Sequence, residues 1–383
     1  MPSRTRTRFA LIATVACLAA GLLVAPAPAS AVSPRAHASG LTFLGESTIA
    51  AGATFQGTVV GGLSSWAYDE SRDVYYAISD DQGGTFTPTS TPARFYTLRV
   101  DLSDGSLDAG DVTVVAVTTL LGTNGLPLPA RSLDPEGLTL TPDDTLIVTS
   151  EGIPPAIAPF VREFDLSGHQ VAELPVPGAF LPSTDGTRGV RFNLGFESAA
   201  VAPNGQFLFV GAENAVAQDG PAATLATGSQ ARLLRYNLRT NSVDRQYVYP
   251  TDPVAEAPVP AGQFTVNGLV ELLPVNNQFL LAMERSFSVG AGNTIRIYRV
   301  ALPGATDVNG TDDLDQLTDV RAAQKTLLLD LDVLVEEFGL TLDNIEGMTL
   351  GPRLPDGRQS LLLVSDNNFT PNQVSQFLAF ALD

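Results

Sequence analysis

Apolar and polar positions along the chain follow a period of two in short runs, and the runs recur in pairs. Five segments align: Gly62 to Tyr68 leading to Val74 through Asp81, Glu136 to Leu140 leading to Leu146 through Glu151, Glu197 to Val201 leading to Phe207 through Glu213, Asn267 to Leu272 leading to Phe279 through Glu284, and Glu346 to Leu350 leading to Leu361 through Asp366. In each, small residues open a short strand, a turn follows, and a more apolar strand ends in an acid. The turns carry Pro, Asn, Asp and Gly, as in Pro203-Asn204-Gly205 and Pro355-Asp356-Gly357, residues that set the dihedrals of tight reversals.

A third alternating strand follows each pair, at Arg94 to Asp101, Phe160 to Leu166, Arg232 to Leu238, Thr294 to Ala301 and Gln376 to Leu382. A fourth follows four of them, at Val112 to Thr119, Gln170 to Val176, Val243 to Tyr249 and Thr326 to Leu331. Four antiparallel strands per repeat describe a propeller blade, so the pattern predicts an all-β propeller. The last repeat stops after its third strand while an orphan strand, Leu41 to Ile49, stands at the start; that strand is expected to complete the last blade and close the ring. The count is five, with a sixth, degenerate blade possible inside the long insertions 121–132, 178–193, 218–230, 250–262 and 303–322. A β-sandwich with chance hairpins is the competing architecture. One short helix is predicted near Val333 to Phe338, and residues 41–383 read as one closed domain.

The first residues belong to a different pattern. Arg4, Arg6 and Arg8 precede an apolar run from Phe9 to Val24, and Ala29-Ser30-Ala31 is a small-residue cleavage site. Residues 1–31 read as an export signal, followed by a flexible tail at 32–40, which makes the mature protein secreted. Cys17 is the only cysteine and leaves with the signal, so stability outside the cell rests on packing or bound ions, with no disulfide. The chain of 383 residues has a net charge of −19, and the signal removes three of its 22 basic residues and none of its 41 acids. Such a surface disfavours nucleic acid and anionic membranes and favours cations; the chain reads as a monomer acting on small molecules.

Antiparallel geometry places the start of each first strand and the end of each second strand at one sheet edge. With first strands lining the channel, these edges meet around one mouth. The second strands end in Asp80 and Asp81, Glu151, Glu213, Glu284 and Asp366; first strands begin with Glu136, Glu197 and Glu346, with Asn267 in the fourth. Carboxylates crowded together raise one another's pKa and oppose folding unless a cation neutralises them. A set of hard oxygen donors without Cys or His suits calcium. The alternative is that each acid caps its own turn or pairs locally, as Glu284 with Arg285.

Other chemistry has less support. No Gly-x-Ser-x-Gly elbow occurs, and His169 falls in the hairpin turn Ser167-Gly168-His169, so a Ser-His-Asp triad lacks a placed base. The run Asp307 to Asp313 has its Gly at the wrong position for an EF-hand and reads as a solvated loop. Trp66 and Tyr68 alternate on a first strand as core residues.

Asp134-Pro135-Glu136-Gly137-Leu138, Asn344-Ile345-Glu346-Gly347-Met348, Phe196-Glu197-Ser198 and Ser365-Asp366-Asn367-Asn368-Phe369 resemble the phytase-like family, described by an esterase-like activity of phytase. The resemblance spans roughly Leu41 to Leu382 and implies an exported propeller related to calcium-dependent phytases, in which metal ions at an acidic mouth hold substrate and activate water. It implies calcium ligands at Glu136, Glu197, Glu346 and Asp366, with Asp80, Glu151, Glu213 and Glu284 around them. Glu136 and Glu346 would then act in catalysis, with Arg191 and Arg285 as cations for substrate phosphate or carboxylate. The phytases of the resemblance carry a Lys- and Arg-rich substrate face; little Lys occurs near these motifs, so a simpler phosphoester or another ester is as suitable as phytate. A non-catalytic propeller binding a ligand, glycan or protein, and a lactonase-type calcium propeller, remain open beside the hydrolase.

Overall fold

The computed structural model describes residues 37–38, 40–84 and 91–383. The proposed export signal at 1–31 lies outside the described residues, as does most of the tail at 32–40.

Four sheets run in strict sequence order from the channel outward. The first blade comprises Leu63–Asp69, Val74–Ser79, Arg94–Val100 and Val112–Thr119; the second Pro135–Leu140, Thr145–Ser150, Phe160–Asp165 and Gln170–Leu174. The third comprises Phe196–Val201, Phe207–Ala212, Gln230–Asn237 and Ser242–Pro250; the fourth Thr265–Pro274, Phe279–Ser288, Gly292–Ala301 and Gln324–Asp330. The fifth takes Asn344–Arg353, Gln359–Asp366 and Ser375–Leu382 from the C-terminus, and Leu41–Ile49 adds to its outer edge in antiparallel pairing from Leu41 opposite Leu382 to Ile49 opposite Ser375. The ring is thus closed by the two ends of the domain, and the described residues form five blades, not six.

The alternation seen in the sequence is what packs the ring. Side chains of neighbouring residues on one strand point to opposite faces, and in a propeller each face meets a different blade. Ile147 packs against the third blade beside Leu208 and Val210, while its neighbour Val148 packs against the first beside Ile78 and Phe95. Leu361 likewise joins Ile295 and Ile297 of the fourth blade, and Leu362 joins Trp66 and Tyr96 of the first. A fifth cluster, with Phe209 and Leu280, seals the third blade to the fourth. Second strands are buried on both faces, which is why Leu361 to Val364 is continuously apolar. Trp66 is core, stacked on Tyr75 at 4.8 Å between ring centroids.

The short helix is Asp332–Phe338, ended by Gly339 in the left-handed region at φ 67°, as glycine permits after a helix. The acidic loop at 307–313 is tied to the third blade: Asp307 Oδ1 accepts from the Gln246 and Asn309 amides, and Val308 is buried. His169 lies in an exposed turn beside Ser167.

Candidate active site at the channel mouth

In every blade a β-bulge interrupts the pairing of the first two strands near the mouth. The extra residue on the first strand is Ser64, Glu197, Val270 and Glu346 in the first, third, fourth and fifth blades; in the second, Glu136 and Gly137 together span the shift. A bulge leaves one residue unpaired and re-aims its side chain. Three of the five are glutamates, and Glu136, Glu197 and Glu346 all line one cavity of about 1100 Å³.

The bulges also fix which second-strand residue reaches the mouth. Counting from the bulge, Asp80, Glu151, Glu213 and Asp366 occupy one position, and the fourth blade places Arg285 there, opposite Gly268 as Asp366 is opposite Asn344. Glu284 is one residue earlier, so the two-residue period turns it to the other face of the sheet. It accepts hydrogen bonds from Tyr249 Oη at 2.7 Å, the Asp252 amide at 2.8 Å and Asn267 Nδ2 at 3.0 Å, and it pairs with Lys325. Glu284 and Asn267 therefore belong to a closed polar cluster outside the mouth. The alignment that joined Glu284 to the other acids is corrected by the bulge at Val270, which falls three residues later than Asn267.

Of the other expected residues, Asp80, Glu136, Glu197, Glu213, Glu346, Asp366 and Arg285 line the cavity together with Asp134, Asn214 and Asn344. Glu151 stands behind Asp134 and Glu136, close enough for one oxygen of each to lie within 4.8 Å of the others. Arg191 does not reach the mouth. Its guanidinium donates to the Ala215 carbonyl at 3.2 Å and the Gly220 carbonyl at 2.6 Å, holding the loop that carries Phe192.

Glycine makes room where an acid of one blade crosses to the next. A Cβ at Gly195 would collide with Glu151, and one at Gly268 with the Glu213 carboxyl; the Gly195 amide donates to Glu151 Oε2 at 3.0 Å.

The cluster is electrostatically overloaded. Burial first, and neighbouring carboxylates second, push Asp80, Glu136, Glu151 and Glu197 well above the ordinary carboxylate range. Burial raises Asp134 to about 6, Glu213 to about 7 and Asp366 to about 8, Arg285 partly offsetting the last two. Arg285 donates to Glu346 Oε1 at 2.8 Å, and Asn344 Nδ2 donates to the same oxygen at 2.9 Å. Asp80 Oδ1, Glu213 Oε1 and the Arg285 Nε–H are buried without a hydrogen-bond partner.

Sequence comparison supplies the family. A model of the phytase-like family, described as esterase-like activity of phytase, matches residues 58–369. The chain belongs to the phytase-like family. The matched span takes in all five hairpins and thus every cavity-lining carboxylate of the phytase-like mouth except Glu46. None of the curated proteins compared matches the chain. Among solved structures the phytase-like chain is similar to a periplasmic gluconolactonase of Pseudomonas aeruginosa, at 14% identity over 85% of this chain and 86% of that one, with a TM-score of 0.35. It is also similar to an endo-1,4-beta-xylanase of Bacteroides thetaiotaomicron, at 10% identity over 83% and 90% of the two chains, with a TM-score of 0.41. Those scores decide nothing about its chemistry.

One buried acid near the channel was not singled out from the sequence. Glu271 follows the Val270 bulge, at the position held by Ser65, Ser198 and Gly347 in the first, third and fifth blades. It is buried and accepts from Ser65 Oγ at 2.6 Å, so a carboxyl fills the axis where those three blades have small residues. An acid amid Leu269, Val270 and Leu272 was the available signal.

Proposed function

We propose that this protein is a secreted, calcium-dependent hydrolase of esters, phosphoesters among them, working at the acidic mouth. The observation that carries the reading is the ring of carboxylates whose charge Arg285 balances only in part, with Asp80 Oδ1 and Glu213 Oε1 buried and unpartnered. Buried oxygens without donors are costly, and an all-oxygen set fits calcium. Asp134, Glu136 and Glu151 would hold one ion, and Asp80, Glu197, Glu213, Glu346 and Asp366 supply the remaining oxygens of the mouth. Calcium held by these residues would polarise an ester or phosphoryl oxygen and lower the pKa of water.

The chain's own residues supply the rest. Arg285 is the one cation among the described residues that line the cavity; with one arm on Glu346, its guanidinium is held as a preorganised donor for the substrate oxygen that gains negative charge. Glu136 makes no hydrogen bond among the described residues and faces the cavity, so its carboxylate can take the proton of the attacking water. The oxygen of that water bonds to the carbonyl carbon or phosphorus, the bond from that atom to the ester oxygen breaks, and the alcohol leaves with the proton that Glu136 took.

The test pairs calcium titration calorimetry with turnover of p-nitrophenyl acetate, p-nitrophenyl phosphate, phytate and a lactone, for the wild type, Glu136→Gln and Glu346→Gln. Calcium affinity and turnover are expected to fall together in both variants. Unchanged calcium affinity in both would sink the site.

A further inference from the structure

The fourth blade is built differently at the mouth. In the other blades the paired edge stops at Leu63 opposite Ser79, Pro135 opposite Ser150, Phe196 opposite Ala212 and Asn344 opposite Asp366. In the fourth it continues past Gly268 and Arg285 through Val266 opposite Phe287 to Thr265 opposite Ser288. This extension stands above the acids as a wall. Phe264, just before it, is 64% exposed with its ring 6.3 Å from that of Phe287. Phe192, from the loop before the third blade, is 69% exposed, and all three rings line the same cavity as the acids.

Single exposed apolar residues are ordinary on a protein surface. Three phenylalanines from separate segments meeting at one cavity are not scattered, and each is held. Arg191 clamps the Phe192 loop through the Ala215 and Gly220 carbonyls. The Phe264 carbonyl accepts from the Val289 amide at 3.1 Å, and Phe287 is locked in the strand ladder. The charge below the rings is one-sided: among the described residues, nine carboxylates and one guanidinium line the cavity, and no lysine does.

We propose that the substrate of this mouth carries a bulky apolar group, an aryl or acyl moiety seated against Phe192, Phe264 and Phe287, and a single ester or phosphoester head, not a polyphosphorylated ring. This rests on the hydrolase reading for the fate of the head group. The seat for the apolar group stands on the rings themselves. A ligand with many negative charges meets carboxylates in excess and, among the described residues, only Arg285 to receive them. An aryl group removes its own apolar surface and that of two exposed rings from water.

The experiment is calorimetric binding to the calcium-loaded full chain with three probes: benzylphosphonate, methylphosphonate, which keeps the head and lacks the ring, and inositol hexasulfate. Benzylphosphonate is expected to bind about tenfold more tightly than methylphosphonate, the scale set by burying one ring, and more tightly than the hexasulfate. Phe264→Ala and Phe192→Ala should each erase most of the tenfold preference, with Phe264→Leu retaining part of it. Equal affinity for the two phosphonates, or tighter binding of the hexasulfate, overturns the proposal. Turnover of p-nitrophenyl acetate and butyrate separates the two readings. Ring preference without turnover removes the hydrolase and leaves the subsite; turnover without ring preference removes the subsite and leaves the hydrolase.

Discussion

Replacing Glu271 tests whether the channel axis is held by a neutral acid. Glu271 is 2% exposed. Its Oε2 accepts from Ser65 Oγ at 2.6 Å, its Oε1 from the Leu272 amide at 2.9 Å, and the Met348 amide also donates to it. Burial drives its pKa well above the ordinary carboxylate range, the three donors offsetting only part of that. Glu271→Ala takes this acceptor from the buried Leu272 and Met348 amides, at about 1 to 3 kcal/mol each, while Ser65 Oγ keeps the Leu138 carbonyl at 3.3 Å. Part of this is recovered because a buried carboxyl no longer has to be desolvated, so a loss of about 2 to 4 kcal/mol is expected. Glu271→Gln keeps the shape and the Oε1 acceptor and should stay within about 1 kcal/mol of wild type. Urea unfolding at pH 6 with calcium held constant measures both. The pH dependence follows from the raised pKa: the folded chain keeps a proton that the unfolded chain releases above about 4.3. The stability from Glu271 is therefore complete below that pH and is lost as pH rises through the folded value. Glutamine has no such slope, so Glu271→Gln gains on the wild type as pH rises. An alanine variant costing under about 1 kcal/mol, or a glutamine variant as damaging as alanine, would refute the neutral axial acid.

Four further outcomes are expected. In chelator, the melting temperature should rise as pH falls from 8 to 6, because Asp134, Glu213 and Asp366 hold protons up to about 6, 7 and 8 in the folded chain; added calcium should stabilise most at pH 8, and a melt indifferent to chelator at every pH counts against the metal. Arg285→Met should lower turnover about a hundredfold, as removal of a preorganised donor does, with calcium affinity retained or raised, and turnover within threefold of wild type would remove Arg285 from the reaction. Arg191→Met should raise KM for aryl esters far more than it lowers kcat, with about 2 kcal/mol of stability lost with its carbonyl contacts; equal changes in kcat and KM would contradict a positioning role. Amino-terminal sequencing of protein recovered from culture medium should begin at Val32, and a chain retained in cells with residues 1–31 attached would overturn the export signal.

The strands, their order and the closure of the ring were legible along the chain because they depend on local pattern. Side chains alternate with period two, second strands are apolar on both faces, and an unpaired strand at each end of a repeat array has one economical partner. Leu41–Ile49 beside Ser375–Leu382 is that outcome. The glutamates at Glu136, Glu197 and Glu346 were legible because repeats carry them at one spacing. What the tertiary structure decided is register. A β-bulge adds one residue without a sequence mark of its own, and the fourth blade places its bulge at Val270, not at Asn267. That shift turns Glu284 to Lys325 and Tyr249, brings Arg285 into the ring of acids, and leaves Glu271 on the axis. Contacts between loops are likewise set by the tertiary structure: Arg191 stands beside the mouth motifs in sequence, yet its guanidinium meets the Ala215 and Gly220 carbonyls first. Phe192, Phe264 and Phe287 are distant from the acids in pattern and chemistry, and only the ring brings them over the same cavity.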